Sequence, residues 1–383
     1  MNNNNTPNNE ELRELEDALK EIFGQDSEIH FHPEEAHGSI MPLSIIQNNR
    51  PPFDSYEDFE AYLKTCFSQI DYIDLYNYLK SNVYGQDEQL LKICACLKAY
   101  FNNLCQDVRQ DIPYHFILAG PTGCGKTEVF RKVQKYFEEK IPELPVILRD
   151  ATSLTSEGYV GEGKNYLIRD LVGTNGYGIV FLDEFDKRII KTEYEGAINF
   201  ASETQNGLLQ MIDGAIMEVE SEMGGMAEVD TRNTLFICMG AFEKEQKEEK
   251  HPGFNNVNCM PEQKKLDDDG LIEWGCERQL ATRFCQIINF NRITDEVLDK
   301  IITKYIKEYN NSLGCTIKVS ANYKKNIKKM YDERNGTRNI RAMIWRDIQV
   351  PYIHIKNINN QYIYLNNVSQ NGVIKQIKKS KNA

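Results

Sequence analysis

The sequence predicts an α/β protein built around a doubly wound parallel sheet. Short apolar runs alternate along the chain with segments of helical spacing, as expected for strands that are buried on both faces. A glycine-rich turn follows the first run, and two carboxylates end the third, at the edge where open α/β sheets bind ligands. The predicted strands cover residues 116–119, 144–150, 178–187 and 234–240.

The glycine-rich turn fits a known phosphate-binding pattern. Gly120-Pro-Thr-Gly-Cys-Gly-Lys-Thr127 matches G-x-x-x-x-G-K-[ST], the Walker A motif or P-loop. Its glycines would let backbone N–H groups converge on phosphates, and a helix beginning near Lys126 would add its positive dipole end. Lys126 would reach the β- and γ-phosphates, while the Thr127 hydroxyl would bind Mg²⁺. The predicted nucleotide-binding residues here are Gly120, Pro121, Thr122, Gly123, Cys124, Gly125, Lys126, Thr127 and Glu128.

Two carboxylates mark the end of the third predicted strand. Asp183-Glu184 follows the apolar run 179–182, which is the arrangement of a Walker B motif. Asp183 would hold Mg²⁺ through its water shell, and Glu184 would orient or deprotonate the water that attacks the γ-phosphate. The alternatives are a chance glycine-rich turn and a solvated acidic strand end, and the presence of both motifs together disfavours them. Cys124 is interpreted as a tolerated small residue of the loop rather than a redox switch.

Composition restricts the class of protein. A chain of 383 residues predicts two or three structural units, and its net charge of −12 disfavours a broad nucleic-acid-binding surface. The sequence shows neither a run of eighteen apolar residues nor an apolar signal region, and its ten cysteines form no C-x-x-C pair. We therefore expect a cytoplasmic protein with reduced thiols and no membrane or nucleic-acid partner.

Three segments are predicted along the chain. Residues 1–80 form an N-terminal extension of unread function, disordered at its start and then mainly helical. Residues 81–290 form the P-loop domain, and residues 291–383 form a smaller α/β domain. The histidine-rich stretch 30–37 is interpreted as a loop rather than a metal site, because a proline interrupts it and no ligand spacing is recognisable. Helical patterns are predicted at residues 10–23, 53–79 and 89–104.

Taken in order, these segments resemble the ClpX family of AAA+ ATPases and, more loosely, the HslU family. The similarity spans about residues 80–350. It implies an AAA+ P-loop domain with a small C-terminal lid domain, and ATP and Mg²⁺ as cofactors. The segments that carry it are Val83-Tyr-Gly-Gln86, Gly120–Thr127, Asp150–Gly161, Ile179–Lys187, Leu235–Phe242 and Gly336-Thr-Arg338.

The resemblance also implies a ring of identical chains, a hexamer, with a central pore. Gly158-Tyr-Val-Gly161 resembles the family's pore loop, so Tyr159 and Val160 would grip a polypeptide substrate. An aromatic ring and a branched apolar side chain can hold varied side chains, and Gly158 and Gly161 would let the loop swing. The alternative is an ordinary glycine-rich turn with a partly buried tyrosine.

Four further residues take roles from the resemblance. Arg283 ends a segment that resembles the one carrying the arginine finger, and it would reach the γ-phosphate bound by the neighbouring chain. Arg338 resembles the sensor-2 arginine, which contacts nucleotide from the lid of the same chain. Val83 and Tyr84 would line the adenine pocket. The alternatives are surface salt bridges for the two arginines and a helix cap for Val83 and Tyr84.

The chain departs from the family pattern at four places. The zinc-binding N-terminal domain has no counterpart in residues 1–80, and the Arg-Lys-His pore-entrance loop has none near residues 218–230. Strand 235–239 lacks a polar sensor-1 side chain. The expected peptidase-docking tripeptide is matched only by His251-Pro-Gly-Phe254, with proline in place of an aliphatic residue. These departures leave client choice and docking to a peptidase such as ClpP as weaker expectations.

The motifs and the resemblance together predict an ATP-dependent unfoldase or remodelling chaperone that pulls polypeptide through a ring. In its fullest form, the hypothesis adds a peptidase that receives the polypeptide. The alternative is a nucleotide-controlled remodelling or scaffold module that binds one dedicated partner through residues 1–80 without threading it. A nucleic-acid motor is disfavoured by the negative charge and by the lack of a basic aromatic stripe.

Overall fold

The computed structural model describes most of the chain from Phe53 onwards. Backbone contacts divide the chain into two units, Met1–Tyr62 and Leu63–Ala383. In the first unit, the Phe53 ring centroid lies 5.2 Å from those of Phe59 and Tyr62. The predictions for residues 1–9, 10–23 and 30–37 lie outside the described residues. Those residues are 53, 55–106, 108–110, 114–153, 164–190, 195–220, 225–243, 265–332, 336–359, 361–368 and 372–376.

Helices surround the sheets, and several begin with an identifiable cap. Thr294 and Ser320 each accept a hydrogen bond from the backbone N–H three residues later, which stabilises the first turns of the helices that follow them. None of the helices in the described part of the chain is long and apolar enough to cross a membrane. The helices are α1 (Tyr56–Ser68), α2 (Tyr72–Asn82), α3 (Asp87–Leu104), α4 (Lys126–Lys140), α5 (Phe185–Ile189), α6 (Glu195–Ile212), α7 (Asp268–Trp274), α8 (Arg278–Ala281), α9 (Asp295–Leu313), α10 (Ala321–Lys329) and α11 (Gly336–Ile353).

Ten strands form three sheets. Five of them make a fully parallel sheet in the order β2-β3-β6-β1-β7, which confirms the predicted doubly wound fold. β4 and β5 pair as an antiparallel hairpin, and β8, β9 and β10 form a mixed sheet near the C-terminus. The strands are β1 (His115–Ala119), β2 (Val146–Asp150), β3 (Gly178–Asp183), β4 (Ile216–Glu220), β5 (Met226–Asp230), β6 (Thr234–Gly240), β7 (Phe284–Asn289), β8 (Thr316–Val319), β9 (Gln361–Leu365) and β10 (Val373–Gln376).

Apolar sequence explains the centre of the parallel sheet. Every residue of β6 is buried, and in β3 only Asp183 is partly exposed, as continuous apolar runs require when helices cover both faces. The hairpin adds alternate residues such as Met217 and Val219 to the same core. β2 begins at Val146 rather than at the predicted Leu144, since the intervening proline has no N–H to donate to the sheet.

The C-terminal helices and the three-stranded sheet have a core of their own. Leu298, Ile302, Tyr323, Ile340 and Ile344 are buried together there. This segment, residues 295–376, is called the lid below. It confirms the small C-terminal α/β layer that the sequence predicts, although the boundaries at residues 80 and 290 stay predictions.

Candidate nucleotide-binding site

The P-loop turns tightly between β1 and α4. Gly120, Gly123 and Gly125 have φ angles of 154°, 77° and 112°, which disfavour residues that carry a Cβ atom. At Gly120 space is also limiting, because an added Cβ would lie 2.8 Å from the Cβ of Phe290. α4 begins at Lys126, directly after the turn, so its first N–H groups and its positive dipole end point to the loop.

Lys126 is buried against the loop that it follows. Its Nζ donates hydrogen bonds to the carbonyl oxygens of Gly120 and of Pro121, the latter at 3.0 Å. The neighbouring Cys124 is also buried, and burial raises the pKa of its thiol above the ordinary value. The Cys124 sulfur therefore stays protonated, which supports its interpretation as a small residue of the loop.

Asp183 is the last residue of β3, and Glu184 follows it. Because β1 and β3 are parallel, the two carboxylates lie at the same edge of the sheet as the P-loop. Burial raises the pKa of Asp183, although the N–H of Glu184 and the charges of Lys126 and Arg338 act in the opposite direction. The Glu184 N–H donates to Asp183 Oδ1 at 3.0 Å. Glu184 has a φ of 57°, a left-handed conformation that is uncommon for non-glycine residues and that is enriched at functional sites. Its Oε1 accepts a hydrogen bond from Lys187 Nζ at 2.7 Å.

A cavity of about 450 Å³ joins these elements to the lid. Its volume falls within the range of roughly 300–1,000 Å³ typical of small-molecule sites. Gly120 and Pro121 support Lys126 rather than line the cavity themselves. The other predicted residues of the nucleotide site that line it are Val83, Tyr84, Thr122, Gly123, Cys124, Gly125, Lys126, Thr127, Glu128, Asp183, Glu184 and Arg338.

Part of the cavity lining is apolar. Val83 follows α2 as its C-cap, and Val83 and Tyr84 line the cavity together with Ile293 and Ile301. The sequence predicts the first two of these residues but not the two isoleucines. An apolar surface of this kind suits a flat nucleobase, while the P-loop suits phosphates.

The Gln86 side chain holds the segment after α2 against the P-loop. Its buried side-chain amide donates to the carbonyl oxygens of Cys124 at 3.2 Å and Asn291 at 2.8 Å. The same side chain accepts a hydrogen bond from the Asn291 N–H at 2.9 Å. Gln86 belongs to the quoted segment Val83–Gln86, but only the fold shows that it holds the P-loop from behind.

The lid supplies a second wall, of which the sequence predicts only Arg338. Lys304 Nζ donates to the Asn82 carbonyl oxygen at 2.9 Å and to Glu128 Oε1 at 2.8 Å, and it lies 5.9 Å from the Tyr84 ring centroid. Lys304 is mostly buried, with 18% of its side chain exposed. It therefore ties α9 of the lid to the helix that follows the P-loop.

Tyr305 and Arg341 continue this wall beside Arg338. The Tyr305 hydroxyl donates to Thr337 Oγ1 at 3.0 Å, and the Arg341 guanidinium lies 5.3 Å from the Tyr305 ring centroid. Arg341 also pairs with Glu308 at 3.2 Å. Arg338 thus lies in a wall whose neighbours are held by specific contacts, which favours a role at the site over a surface salt bridge.

Two glycines let the backbones of the two walls approach each other closely. A Cβ added to Gly123 would lie 2.4 Å from the Cα of Gly336, the first residue of α11. Gly336 has a φ of 58°. The start of the helix that carries Arg338 therefore packs directly on the P-loop backbone, with no room for a side chain on either residue.

Asp186 organises the strand end beside Asp183. Its Oδ2 accepts hydrogen bonds from the N–H groups of Ala241 at 3.2 Å and Phe242 at 3.1 Å. The Trp274 indole donates to the Asp186 carbonyl oxygen at 2.9 Å. β6 reaches the cavity with Gly240 and Ala241, consistent with the predicted lack of a polar sensor-1 side chain.

Arg283 lies away from the cavity of its own chain. Its guanidinium forms an ion pair with Asp213, and 45% of its side chain is exposed. Arg283 is not among the described residues that line the cavity. The structure therefore does not bring it to the P-loop of the same chain, and the predicted role in a neighbouring site stays a prediction. The predicted pore loop, Gly158–Gly161, and His251–Phe254 lie outside the described residues.

Comparisons with known proteins agree with this geometry. Residues 113–286 match the family model of the AAA domain (Cdc48 subfamily). The ATP-dependent Clp protease ATP-binding subunit ClpX of Porphyromonas gingivalis is 33% identical over 190 residues, which make up 45% of this chain and 45% of that relative. This chain therefore carries an AAA domain at residues 113–286 and is similar to a ClpX protein over 190 residues.

A second relative extends the similarity beyond the AAA+ domain. ClpX of Treponema denticola is 27% identical over 311 residues, which cover 71% of this chain and 74% of that protein. ClpX of Bacteroides fragilis is 32% identical over 190 residues. The matches to the Porphyromonas and Bacteroides proteins span less than half of each relative, 45% in both cases.

The residues of the AAA+ cavity fit a nucleoside triphosphate with a divalent cation. The positive φ angles of Gly123 and Gly125 give the loop a tight turn in which its backbone N–H groups can face a phosphate, and Lys126 supplies a cation beside it. The Thr127 hydroxyl and the Asp183 carboxylate line the same cavity and offer the oxygen ligands that Mg²⁺ prefers. The donor set therefore matches both groups that the family implies.

Proposed function

We propose that this chain is a Mg²⁺-dependent ATPase that assembles into a ring, a hexamer, and uses hydrolysis to unfold and translocate polypeptide. The observation that carries the proposal is the cavity in which the P-loop, the Asp183-Glu184 pair and the lid residue Arg338 meet. The AAA domain and the similarity to a ClpX protein support the same function. The ATPase is the core of the proposal, and threading is its extension.

In the proposed site, Lys126 and the loop N–H groups bind phosphate oxygens, and Thr127 and Asp183 orient the cation. Bound Mg²⁺ would neutralise charge on the phosphates. Glu184 would orient the attacking water and accept its proton, for which its carboxylate must be released from Lys187. Arg338 would report the state of the phosphates to α11 and the lid.

Arg283 would complete the site from the neighbouring chain. Its distance from its own cavity and its exposed guanidinium support this arrangement, and the Asp213 ion pair would hold the arginine ready at the surface. An exposed ion pair of this kind contributes about 1 kcal/mol or less, so a γ-phosphate could displace it. Turnover would then require assembly and depend on protein concentration.

Tyr159 and Val160 would grip the polypeptide in the pore, and a peptidase of the ClpP kind would take the product. Their support is the resemblance of Gly158–Gly161 to the family's pore loop. Tyr159→Ala separates this function from a scaffold that binds one partner. Loss of substrate unfolding with intact ATPase supports threading, whereas unchanged remodelling of a partner supports the scaffold.

Subunit complementation tests the interface-built site. Arg283→Ala and Glu184→Gln should each lower turnover strongly, by about a thousandfold for the arginine finger. Co-assembled in equal amounts, the two variants should regain up to about a quarter of wild-type turnover, since some sites combine an intact Glu184 with a neighbour's intact Arg283. Asp213→Asn, which removes the negative charge of the ion pair with Arg283 but keeps the arginine, is the matched control and should remain active. A co-assembled ring that stays inactive would contradict the assignment of Arg283.

A further inference from the structure

Two cysteines contact each other at the edge of the parallel sheet, outside the nucleotide cavity. Cys96 lies in the middle of α3, Cys285 lies in β7, and their sulfur atoms are 3.9 Å apart. The two residues are far apart in sequence, so the contact arises from the packing of α3 on the edge of the parallel sheet. Neither cysteine has a part in the proposed ATPase.

The two thiols differ in the way a reactive pair requires. Cys285 is exposed to solvent, whereas Cys96 is buried. Cys96 accepts a hydrogen bond from Gln286 Nε2 at 2.7 Å. Hydrogen bonds from Cys285 and Gln286 lower the pKa of Cys96, although burial acts to raise it. The pair can therefore share one proton, with a sulfur anion stabilised between two donors.

The backbone at Cys285 is the least constrained part of its strand. His115 pairs with Phe284 and Phe116 pairs with Gln286, so Cys285 is the extra residue of a β-bulge. A bulged residue is not fixed by the regular ladder, and a small shift can bring it closer to a neighbour. The two sulfurs need to approach from 3.9 Å to a disulfide length of about 2.05 Å.

Other cysteines of the described chain lack this combination. Cys94 lies two residues from Cys96 on α3, but it is buried, and burial raises the pKa of its thiol to about 12. Cys276 is likewise buried, with a pKa raised to about 12. Structural thiols of this kind are inert. Cys94 therefore provides a matched control on the same helix.

We propose that Cys96 and Cys285 form a redox modification site, at which a peroxide converts the two thiols into a reversible disulfide. Cys96 is the thiolate of the pair, because the Cys285 thiol and the Gln286 amide both donate to its sulfur. The Cys96 sulfur attacks one peroxide oxygen, so that an S–O bond forms, the O–O bond breaks and hydroxide leaves. The Cys285 sulfur then attacks the sulfenic sulfur of Cys96, and the S–S bond forms as water leaves with the Cys285 proton.

Hydrogen bonds already join the two segments that the crosslink would connect. α3 is already joined to the segment after β7 by the hydrogen bonds from Gln89 Nε2 to the Asn289 carbonyl at 3.0 Å and from Gln86 to Asn291. A disulfide at the middle of α3 would extend this attachment along the helix. It would join elements that already touch, and a thiol reductant would reverse it.

Mass spectrometry of the full chain tests the site. The protein is treated with hydrogen peroxide, its remaining thiols are alkylated, and it is digested with trypsin without reduction. Trypsin should release residues 93–98, which contain Cys94 and Cys96, and residues 284–292, which contain Cys285. We expect these peptides as one crosslinked species, two hydrogens lighter than their sum, which dithiothreitol separates.

Variants assign the bond. Cys94→Ser should form the crosslinked species as the wild type does, whereas Cys285→Ser and Cys96→Ala should lose it. The unfolding temperature of each reduced variant is measured first, and Cys285→Ser, at an exposed position, should keep that of the wild type. Separate alkylation of Cys96 and Cys285 after peroxide, overoxidation of Cys285 alone, or a crosslink that depends on Cys94 would overturn the proposal.

Discussion

One wall of the cavity comes from the P-loop and the strand ends, and the other comes from the lid. The first wall takes its shape from backbone: three glycines with positive φ, a helix N-terminus and a buried lysine held by carbonyl groups. The second wall is held to the first by side chains, above all by the contact between Lys304 and Glu128. Backbone fixes a geometry, whereas side-chain pairs can separate, so we infer that the first wall performs the chemistry and the second adjusts to it.

Replacing one lysine of each wall by methionine should give the largest difference in turnover between the two walls. Lys126→Met removes the cation beside the phosphates, and we expect turnover to fall by roughly a hundredfold or more, as loss of one partner of a buried charged contact costs about 2–5 kcal/mol. Lys304→Met removes the lid contact and should weaken nucleotide binding several-fold while leaving the turnover rate at saturation within about threefold. Steady-state kinetics and a fluorescent ATP analogue measure both. Equal losses for the two lysines would remove the distinction between the walls.

His115 supports the P-loop wall from below and should make its stability depend on pH. Its Nδ1 accepts the Phe236 N–H at 3.0 Å, its Nε2 lies 3.2 Å from the Ile212 carbonyl, and burial lowers its pKa to about 4. Because the folded pKa lies below the ordinary value of about 6.5, the stability is present above that pH and is lost as pH falls towards 4.

The pH effect is measured against a variant that does not titrate. The free energy of unfolding of the wild type, relative to His115→Gln, should decline by up to about 3 kcal/mol between these two pH values. Urea titrations at several pH values give the difference. A difference that does not vary with pH would show that His115 titrates normally in the folded protein.

The glycine contact between the walls can be tested with a matched pair of alanine variants. Gly123→Ala would place a Cβ 2.4 Å from the Gly336 Cα, whereas Gly314→Ala, at a φ of 62°, meets nothing within 4 Å. Both substitutions carry the left-handed strain of about 1–3 kcal/mol, so their difference reports the contact. We expect Gly123→Ala to weaken nucleotide binding about tenfold or more, as 1.4 kcal/mol would, and Gly314→Ala to lower stability only. Equal nucleotide affinities would show that the close approach of Gly123 and Gly336 does not matter for binding.

The smallest expected effect is the coupling between Lys304 and Glu128. A double-mutant cycle removes the Lys304 side chain, the Glu128 side chain, and both together. For a partly buried pair, we expect a coupling of about 1 kcal/mol in the free energy of unfolding. Burial is the largest single influence on Glu128 and acts to raise its pKa, but the contacts with Lys304, Lys132 and Arg131 together outweigh it, and the pKa is lowered. The coupling should therefore be present at neutral pH and shrink as pH falls through the folded pKa of Glu128, below its ordinary value of 4.5. A coupling of zero would mean that the lid is held by other contacts.

The two walls also differ in how far the sequence reveals them. The P-loop, the start of α4 at Lys126 and the strand that ends in Asp183 follow from local pattern, because each is a short segment with its own spacing rule. Lys304 and Tyr305 are ordinary residues of an amphipathic helix, and only the fold brings them to Glu128 and Thr337. Long-range contacts of this kind have no local signal.

Strands at the margins of the fold were also hard to predict. β7 is buried only at Phe284 and Ile288 and contains a bulge at Cys285, so neither a continuous apolar run nor a regular alternation marks it. In the hairpin β4–β5, five of the exposed or half-exposed residues are glutamate, aspartate or methionine. This pattern is also typical of a solvated segment, so it does not identify a strand. Both elements depend on the neighbours against which they pack.

Nucleotide binding and turnover of Glu184→Gln test the central claim most directly. ATP affinity is measured with the fluorescent analogue, turnover by phosphate release, and assembly by light scattering in ATP and Mg²⁺. We predict wild-type affinity and an intact ring with turnover lowered by about a hundredfold or more, since Glu184 acts on water rather than on binding. Full turnover in this variant, or a wild type that neither binds nor hydrolyses ATP, would contradict the assignment of the cavity as an ATPase site.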